Sequence, residues 1–506
     1  MRYIIMPLLA IAALLLSTTV ADAVVAEPDD RPNIIFILAD DLGYGDPLCY
    51  NPDSKIPTPN LDRLAAQGMR FTDAHSGSAV CTPTRYGILT GRYAWRTRLK
   101  RGVLWGVSPH LIDPKRTTVA SFLRSHGYYT ACIGKWHLGM DWSTLDGKPL
   151  SDASNEDVTK VDYDKPVTNG PNSVGFDSFF GIPASLDMLP YCYLKDDQVV
   201  AAPTDIIARS TGLRMWRGGP IAPGFEHIQV MPTLMDKAIE FLDEQAALDP
   251  ARPFFLYLPL TAPHTPVVPT EEFIGASKAG PYGDFVVQVD ASIGLVLDAL
   301  KRNHQANNTL IIVTSDNGST MTRKSTAQYE HQANHIYRGR KSDAWEGGHR
   351  VPFIARWPGV IAEGSTCQQT IWLGDLLATC AAIIGEELAT DAGEDSVSLL
   401  PLLQGQRSEH IADRAVVHHG INGIFAIRLG PWKLILARGS GGWSLPEAKV
   451  PTDAPDGQLY NLERDPTEMT NLYDQYPEMV QQLTSILTQY KETGRSVAPP
   501  TDPKDD

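Results

Sequence analysis

The chain has 506 residues, an ordinary globular composition with 43% hydrophobic residues, and a formal net charge of -15 at pH 7. A chain of this length can bury a large core, which predicts one big domain with a smaller one beside it. The acidic balance argues against a nucleic-acid partner, although it leaves room for a local cationic pocket that binds an anion.

The first residues have the pattern of a secretory signal. Arg2 precedes an apolar run over residues 7–16, and Ala21-Asp22-Ala23 fits a cleavage site. The run is shorter than the ~20 residues that a membrane helix needs. We therefore predict a signal peptide over residues 1–23, a secreted or periplasmic protein, and no stable membrane span after cleavage.

Apolar runs and amphipathic stretches alternate along the next part of the chain. Short apolar runs, typical of strands buried on both faces of a parallel sheet, occupy residues 33–39, 128–133, 254–260 and 309–315. Amphipathic stretches predict helices over residues 58–68, 117–127, 233–245 and 284–301. The alternation predicts an α/β fold with a mostly parallel sheet flanked by helices.

The pattern changes after about residue 375. Residues 425–428 and 433–436 flank Gly430-Pro431-Trp432 as the strands of a hairpin would, residues 458–462 fit another strand, and residues 477–493 fit a closing helix. We therefore predict a main domain over residues 30–375, a smaller C-terminal α+β subdomain over residues 376–496, and a flexible tail over residues 497–506.

Polar residues stand at the ends of the four predicted strands. They are Asp40-Asp41, Lys135 with His137, His264, and Asp316-Asn317. Each alone fits a turn, a cap or a solvated side chain. Because ligands bind outside the carboxyl ends of parallel strands, the four together predict a shared pocket.

The chemistry of these residues predicts a metal-assisted anion site. Three carboxylates and one amide oxygen form a hard, all-oxygen set that suits calcium or magnesium and does not suit zinc. Further donors come from cationic and imidazole side chains, which are Arg85, Lys135, His137, His264 and Lys341. Together they predict binding of a tetrahedral oxyanion, either sulfate or phosphate.

Cys81 lies in the stretch Cys81-Thr82-Pro83-Thr84-Arg85. Proline is well tolerated in the first turn of a helix, so Cys81 is predicted at or just before a helix N-terminus, where amide donors favour anions. The spacing of the other cysteines fits no zinc site or dense disulfide framework. Two disulfides are possible in an oxidising compartment, and the sequence does not say which cysteines they would join. Cys132 is predicted to be a packed thiol in a strand.

These motifs carry a family resemblance. The cysteine stretch matches the C-x-P-x-R signature of type I, formylglycine-dependent sulfatases, the family of arylsulfatase A and N-acetylgalactosamine-6-sulfatase. The chain resembles that family from Pro32 to about Leu472, because four further motifs recur in order: Asp40-Asp41, Gly134-Lys135-Trp136-His137, Ser315-Asp316-Asn317-Gly318 and Trp345-Glu346-Gly347-Gly348. The resemblance implies an alkaline-phosphatase-like α/β fold, with residues 30–375 as the sulfatase catalytic domain.

The resemblance also implies a chemistry for residue 81. Cys81 would be oxidised to formylglycine by a formylglycine-generating or anaerobic maturation enzyme, and the aldehyde would be hydrated. One hydroxyl would attack sulfur to give a covalent sulfo-enzyme, and the other would then expel inorganic sulfate. Serine could not take part in this second step.

The same resemblance implies roles for the other residues. The calcium ligands would be Asp40, Asp41, Asp316 and Asn317, with residue 81 also touching the ion. Arg85 and Lys135 would steady the hydrate, and His137 would be its base. His264 and Lys341 would hold the sulfate, with His264 protonating the leaving oxygen.

Three further residues are predicted to contact substrate. Gly181-Ile182-Pro183-Ala184-Ser185 resembles the loop whose serine lies beside the sulfate in arylsulfatase A, although Leu186 stands here in place of a histidine. His418 and His419 precede the predicted C-terminal hairpin, which could bring them to the pocket rim to contact a sugar. Trp105 and Trp443 fit either core packing or stacking on a sugar ring.

The leading hypothesis is a sulfatase that hydrolyses a sulfate ester on a sulfated saccharide. The alternative enzyme is a phosphonate monoester or phosphodiester hydrolase, because related enzymes share the fold and the cysteine motif. A third hypothesis is a carbohydrate-binding relative in which Cys81 stays a thiol.

Overall fold

The structure is a computed structural model that describes residues 31–150, 155–248 and 252–498. The predicted signal peptide and the predicted tail beyond residue 498 lie outside the described residues. The strands in the described part are β1 Asn33–Asp40, β2 Met69–His75, β3 Tyr129–Lys135, β4 Ser178–Ile182, β5 Leu194–Lys195, β6 Gln198–Val199, β7 Asp205–Ile207, β8 Gly219–Ile221, β9 Phe254–Pro263, β10 Thr309–Ser315, β11 Arg350–Arg356, β12 Ser365–Cys367, β13 Ile371–Trp372, β14 Val416–His419, β15 Phe425–Leu429, β16 Trp432–Ile435 and β17 Gln458–Asn461. The α-helices are α1 Pro59–Ala66, α2 Cys81–Thr90, α3 Val119–Ser125, α4 Val230–Leu248, α5 Gly280–Arg302, α6 Arg323–Tyr329, α7 Glu346–His349, α8 Leu376–Ile383, α9 Leu400–Leu403, α10 Glu409–Ala412 and α11 Pro477–Thr493.

A large mixed sheet forms the centre of the molecule. Its strands run in the order β12-β2-β11-β10-β1-β9-β3-β4-β5-β6, and β13 pairs with β2 beside β12. At its centre β10, β1, β9, β3 and β4 are parallel neighbours, whereas β11 runs antiparallel between β10 and β2. The predicted α/β fold with a mostly parallel sheet is confirmed.

The central strands are covered on both faces. Every residue of β1 is buried, which is why its sequence reads as a continuous apolar run rather than an alternating one. Helices α1, α4 and α5 pack together as one group, and α2, α3 and α8 pack as a second group. All four predicted strands of this region and all four predicted helices are present.

Two local features explain where helices begin. Thr118 Oγ1 accepts a hydrogen bond from Ser121 N at 3.0 Å, which caps the start of α3. Helix α5 begins at Gly280, four residues before the predicted start, because Pro281 occupies its first turn, where a missing N–H is tolerated.

A smaller antiparallel sheet, β14-β15-β16-β17, forms the C-terminal part of the fold. It contains the predicted hairpin of β15 and β16, and its inner face packs against Leu483 and Leu487 of α11. Residues 376–411, which the sequence analysis assigned to the smaller domain, contribute buried side chains to the core of the large sheet. None of the described helices has the length and hydropathy that crossing a membrane requires.

None of the six cysteines is joined to another in a disulfide. Cys132 is fully buried on β3, as predicted, and burial raises the pKa of its thiol.

Candidate active site

The predicted polar residues meet at one edge of the large sheet. The strands β10, β1, β9 and β3 are adjacent and parallel, so their carboxyl ends open on the same side. At these ends the structure brings together buried side chains that are far apart in sequence, which are Asp40, Asp41, Lys135, His137, Asp316 and Asn317. The geometry therefore agrees with the shared pocket predicted from the sequence.

Each of the three carboxylates has a cationic partner. The closest contacts are Asp40 Oδ2 to Lys135 Nζ at 2.6 Å, Asp41 Oδ1 to Lys341 Nζ at 2.6 Å, and Asp316 Oδ2 to Arg85 Nη2 at 2.7 Å. Buried carboxylates are tolerated when paired in this way. The three pairs give the pocket a formal charge of zero.

Arg85 ties the cysteine helix to two strands. Its Nε and Nη2 both donate to Asp316 Oδ2, at 3.1 and 2.7 Å, and its Nη1 donates to the backbone oxygen of Lys135 at 3.0 Å. The side chain is fully buried. Arg85 is thus a fixed, planar positive charge at the pocket floor.

Three oxygens in the pocket are buried and have no hydrogen-bond partner among the described residues. They are Asp40 Oδ1, Asp41 Oδ2 and Asn317 Oδ1. Leaving such an atom unsatisfied costs free energy, about 1–3 kcal/mol for each neutral group and more for a charged one. Three unsatisfied oxygens from three of the predicted ligands fit a hard cation.

Backbone strain places two of these side chains. Asp41 has φ 70° and His137 has φ 57°, both in the left-handed region that non-glycine residues rarely adopt. The N–H of Asp41 donates to Asp316 Oδ1 at 3.2 Å, which holds the turn against the end of β10. Such strain is found where the surrounding structure fixes a functional side chain.

The charges in the pocket determine its protonation states. Burial opposes ionisation of Asp40, but Lys135 and the other cations hold the pKa of that carboxyl below its usual range. Burial likewise opposes the charge on Lys341, yet Asp41 raises the pKa of this ammonium above its usual value. Both groups are therefore charged in the folded protein.

His137 is a neutral imidazole with one free nitrogen. Its Nε2 lies 2.8 Å from the carbonyl oxygen of Leu104, which can only accept, so Nε2 carries the proton. Burial lowers the pKa of His137 well below its usual value, and Lys135 and Arg85 lower it further. Its Nδ1 is buried without a partner and can accept a proton.

His264 and Ser185 lie beside the carboxylates. His264 Nε2 is 3.7 Å from Asp41 Oδ2, and its Nδ1 contacts the carbonyl oxygen of Thr265. Ser185 Oγ lies 3.2 Å from Lys135 Nζ and 3.3 Å from His264 Nδ1. Burial and the charge of Lys341 lower the pKa of His264.

Cys81 is the first residue of α2, as predicted, and is buried at the pocket. Burial raises the pKa of its thiol, while the charges of Lys135 and Lys341 act in the opposite direction. Cys81 lies one helical turn before Arg85, which pairs with Asp316 in the pocket. Because burial raises the pKa of its thiol, an unmodified Cys81 is a poor thiolate nucleophile.

The structure does not bring His418 and His419 to the pocket rim. His418 is fully buried and stacks on His349 with ring centroids 3.9 Å apart, and His419 is 2% exposed. Both lie on β14, and His418 Nδ1 donates to the carbonyl oxygen of Ser76 at 3.0 Å. They pack inside the small sheet behind the cysteine loop, and their contact with substrate stays a prediction.

A second cluster of buried histidines and carboxylates surrounds His418. It joins the two sheets and consists of Asp73, His75, Glu346, His349, Arg350, His418, Arg428, Lys433 and Glu468. Lys433 donates to Glu346, Glu468 and His349, and Arg428 donates to Asp73. Cationic side chains pair with these carboxylates, so the cluster forms a buried salt-bridge network.

Sequence reasoning missed Asp187 at the pocket. Asp187 is 5% exposed, forms an ion pair with Arg217, and has its pKa lowered by His264 and Arg217 against the effect of burial. Arg217 in turn lies over the ring of Trp105, 4.9 Å from its centroid. The only signal in the sequence was that Asp187 lies two residues after Ser185.

Comparison with known proteins agrees with this geometry. The profile of the Sulfatase family matches residues 32–385. An N-acetylgalactosamine-6-O-sulfatase of Bacteroides thetaiotaomicron is 33% identical, and the match covers 91% of this chain and 93% of that protein.

Solved structures show the same fold. A Bacteroides thetaiotaomicron protein, solved in work on the metabolism of multiple glycosaminoglycans, superposes with a TM-score of 0.78 at 31% identity and covers 92% of this chain and 100% of its own. The phosphonate monoester hydrolase of Agrobacterium radiobacter shares the fold at a TM-score of 0.57 and 19% identity, covering 92% of this chain and 96% of its own.

Proposed function

Because the chain belongs to the sulfatase family and is a sulfuric ester hydrolase, we propose that it removes ester sulfate from a sulfated carbohydrate outside the cytoplasm. The observation that carries the proposal is the convergence of three carboxylates and three cations in one buried pocket, where one of the cations, Arg85, lies on the helix that begins with Cys81. The name of the bacterial relative supports a sulfated amino sugar as substrate. The predicted signal peptide supports export.

Residue 81 is proposed to be formylglycine, made from Cys81 by a formylglycine-generating or anaerobic maturation enzyme. Its hydrate supplies an attacking hydroxyl and a second hydroxyl that allows inorganic sulfate to leave. The stretch Cys81-Thr82-Pro83-Thr84-Arg85 at the start of α2 supports this assignment. Arg85, on the same helix as residue 81, and Lys135 provide fixed positive charge in this pocket.

The proposed cation is Ca²⁺, held by Asp40, Asp41, Asp316 and Asn317. The three unsatisfied oxygens of Asp40, Asp41 and Asn317 support this assignment. Such an ion would polarise a sulfate oxygen. With a divalent cation the formally neutral pocket becomes positive, which suits an anionic ester and the further negative charge that develops as sulfate leaves.

Two histidines are proposed to move protons. Nδ1 of His137 accepts a proton from the residue-81 hydrate, because Nε2 is already committed to Leu104. His264 donates to the leaving oxygen. A bound sulfate ester adds negative charge beside its imidazole, which favours the protonated form that this step needs. Lys341 and His264 hold the sulfate, and Ser185 lies within reach of both Lys135 and His264.

The test has two measurements on natively produced protein. Mass spectrometry of the peptide containing residue 81 should show formylglycine. Release of sulfate should be seen over a panel of defined sulfated saccharides, and phosphonate monoesters and phosphodiesters should be turned over much more slowly. An unmodified thiol at residue 81, or turnover of phosphorus esters alone, would refute the proposal.

A further inference from the structure

A separate cleft lies on the surface where residues 92–100, β15 and the end of α11 meet. It has a volume of about 410 Å³. Its described lining combines two aromatic rings with four cationic side chains, which are Trp95, Phe425, Arg92, Arg96, Lys100 and Lys491, together with Gly494. None of these lining residues carries a carboxylate.

The cleft holds positive charge that is not neutralised. Arg92 pairs with Glu394 and Arg96 pairs with Asp395. In contrast, Lys100 and Lys491 are exposed, and no carboxylate oxygen of the described residues lies within 4.0 Å of either ammonium. In a chain with a net charge of -15 such a surplus is a local feature that favours an anionic ligand.

The aromatic rings allow the cleft to contact an apolar part of a ligand as well as its negative charge. Lys491 Nζ lies 3.9 Å from the ring centroid of Phe425, and the guanidinium of Arg96 lies 4.2 Å from that of Trp95. Trp95 is 6% exposed, and its Nε1 is buried without a hydrogen-bond partner. Tyr93 and Arg96 already lie against the Trp95 ring, so the half-buried ring of Phe425 is the one that can contact the apolar face of a sugar, while neighbouring ammonium groups pair with its sulfates.

We propose that this cleft is a second binding site for a sulfated polysaccharide, apart from the active site. The identity of the ligand as a sulfated carbohydrate rests on the proposed function. The loop from Lys100 to Trp105 connects the cleft with the pocket, since Leu104 accepts from His137 and Trp105 packs on Arg217. Five residues span at most about 17 Å, so one polymer chain is long enough to occupy both places.

The binding test uses the full chain with dextran sulfate as probe, measured by calorimetry. We expect dextran sulfate to bind and neutral dextran not to bind. Lys100→Glu with Lys491→Glu should weaken dextran sulfate binding about tenfold. Lys301→Glu, on an exposed face of α5, is the matched control and should leave binding unchanged.

A second variant tests the aromatic part of the proposal. Phe425→Leu keeps apolar bulk in the small core and should weaken dextran sulfate binding about threefold, with little effect on binding of inorganic polyphosphate. The proposal would be overturned if neutral dextran bound as well as dextran sulfate, or if Lys100→Glu with Lys491→Glu had no effect on binding. It would also be overturned if Phe425→Leu weakened binding of both polyanions equally.

Turnover separates this proposal from the proposed function. In the double-reversal variant, release of sulfate from a sulfated monosaccharide should be unchanged, while KM for a sulfated polymer should rise. If the wild-type chain releases no sulfate but its dextran sulfate binding still depends on Lys100 and Lys491, the proposed function fails and the cleft stands. If sulfate is released but the reversal changes neither binding nor the KM for the polymer, the cleft fails alone.

Discussion

Lys433 is the buried cation that joins the carboxylates of the two sheets, and its removal should destabilise the fold strongly. Its Nζ donates to Glu346 Oε1 at 3.0 Å and to Glu468 Oε1 at 2.8 Å, with all three side chains fully buried. In Lys433→Met, Glu346 keeps Arg350 at 3.0 Å. Glu468 keeps no cation within 4.0 Å among the described residues, so one carboxylate is left buried without a counter-charge.

Breaking a buried ion pair by removing one partner costs about 3–5 kcal/mol. We therefore expect Lys433→Met to lower the free energy of unfolding by about 4 kcal/mol at about pH 8, measured by urea unfolding. Adding Glu468→Gln removes the stranded charge and should recover at least ~2 kcal/mol, which a double-mutant cycle reports as coupling. Lys301→Met is the control, because exposed substitutions change stability by ~0.5 kcal/mol or less.

The pH dependence of this loss tests the same reasoning. Burial and the charge of Glu346 raise the pKa of Glu468 from 4.5 to about 7. Between pH 4.5 and about 7, Glu468 is protonated in the folded state but ionised in the unfolded state. Its proton therefore stabilises the fold at low pH, and this stabilisation is lost as pH rises. In Lys433→Met the loss should be smaller at about pH 5.5, where Glu468 is protonated, than at about pH 8. A loss below ~1 kcal/mol, or one independent of pH, would refute the argument.

Three further predictions concern the proposed active site. His137→Gln should lower kcat by about 10²–10⁴-fold with little change in KM. Because burial lowers the pKa of His137, the acid limb of the wild-type kcat/KM profile should lie below pH 6.5. An acid limb above pH 6.5 would contradict this. Cys81→Ala and Cys81→Ser should both abolish sulfate release. The intact mass of the serine variant should show that it retains bound sulfate. Cys49→Ser is the control and should stay active. Chelation should stop turnover, and Ca²⁺ should restore it. At a Ca²⁺ concentration one hundred times Kd, the free energy of unfolding should rise by about 2.7 kcal/mol. Asn317→Leu should lose that stabilisation, and activity that is indifferent to chelation would contradict the cation site.

The sequence predicted the positions of strand ends well because burial on both faces leaves a clear apolar pattern. Residues 33–39 and 309–315 are such runs, and the polar residues that follow them lie in the pocket. The pairing of those residues was not predictable in the same way. Arg85 and Asp316 are 231 positions apart, and only the strand order and the start of α2 bring them together.

Two features of the structure could not be read from the sequence, and each has a physical cause. His418 and His419 were expected at a rim because they precede the C-terminal hairpin, but the partners of His418, Ser76 and His349, come from distant parts of the chain. The left-handed backbone at Asp41 and His137 is set by tertiary contacts rather than by residue type, since neither is glycine. A single sequence carries no signal for either feature.

The small sheet is part of the machinery that positions residue 81. The backbone N–H of Ala79, two residues before Cys81, donates to His419 O at 3.0 Å, and the N–H of Ser342 donates to Ala79 O at 2.8 Å. Ser342 directly follows Lys341, so one ladder of backbone hydrogen bonds holds both the cysteine loop and this lysine against β14. Because Ala79 is bonded to both β14 and Ser342, a shift of β14 would displace the cysteine loop and Lys341 together. The buried network around Lys433 therefore secures the active site as well as the join between the two sheets.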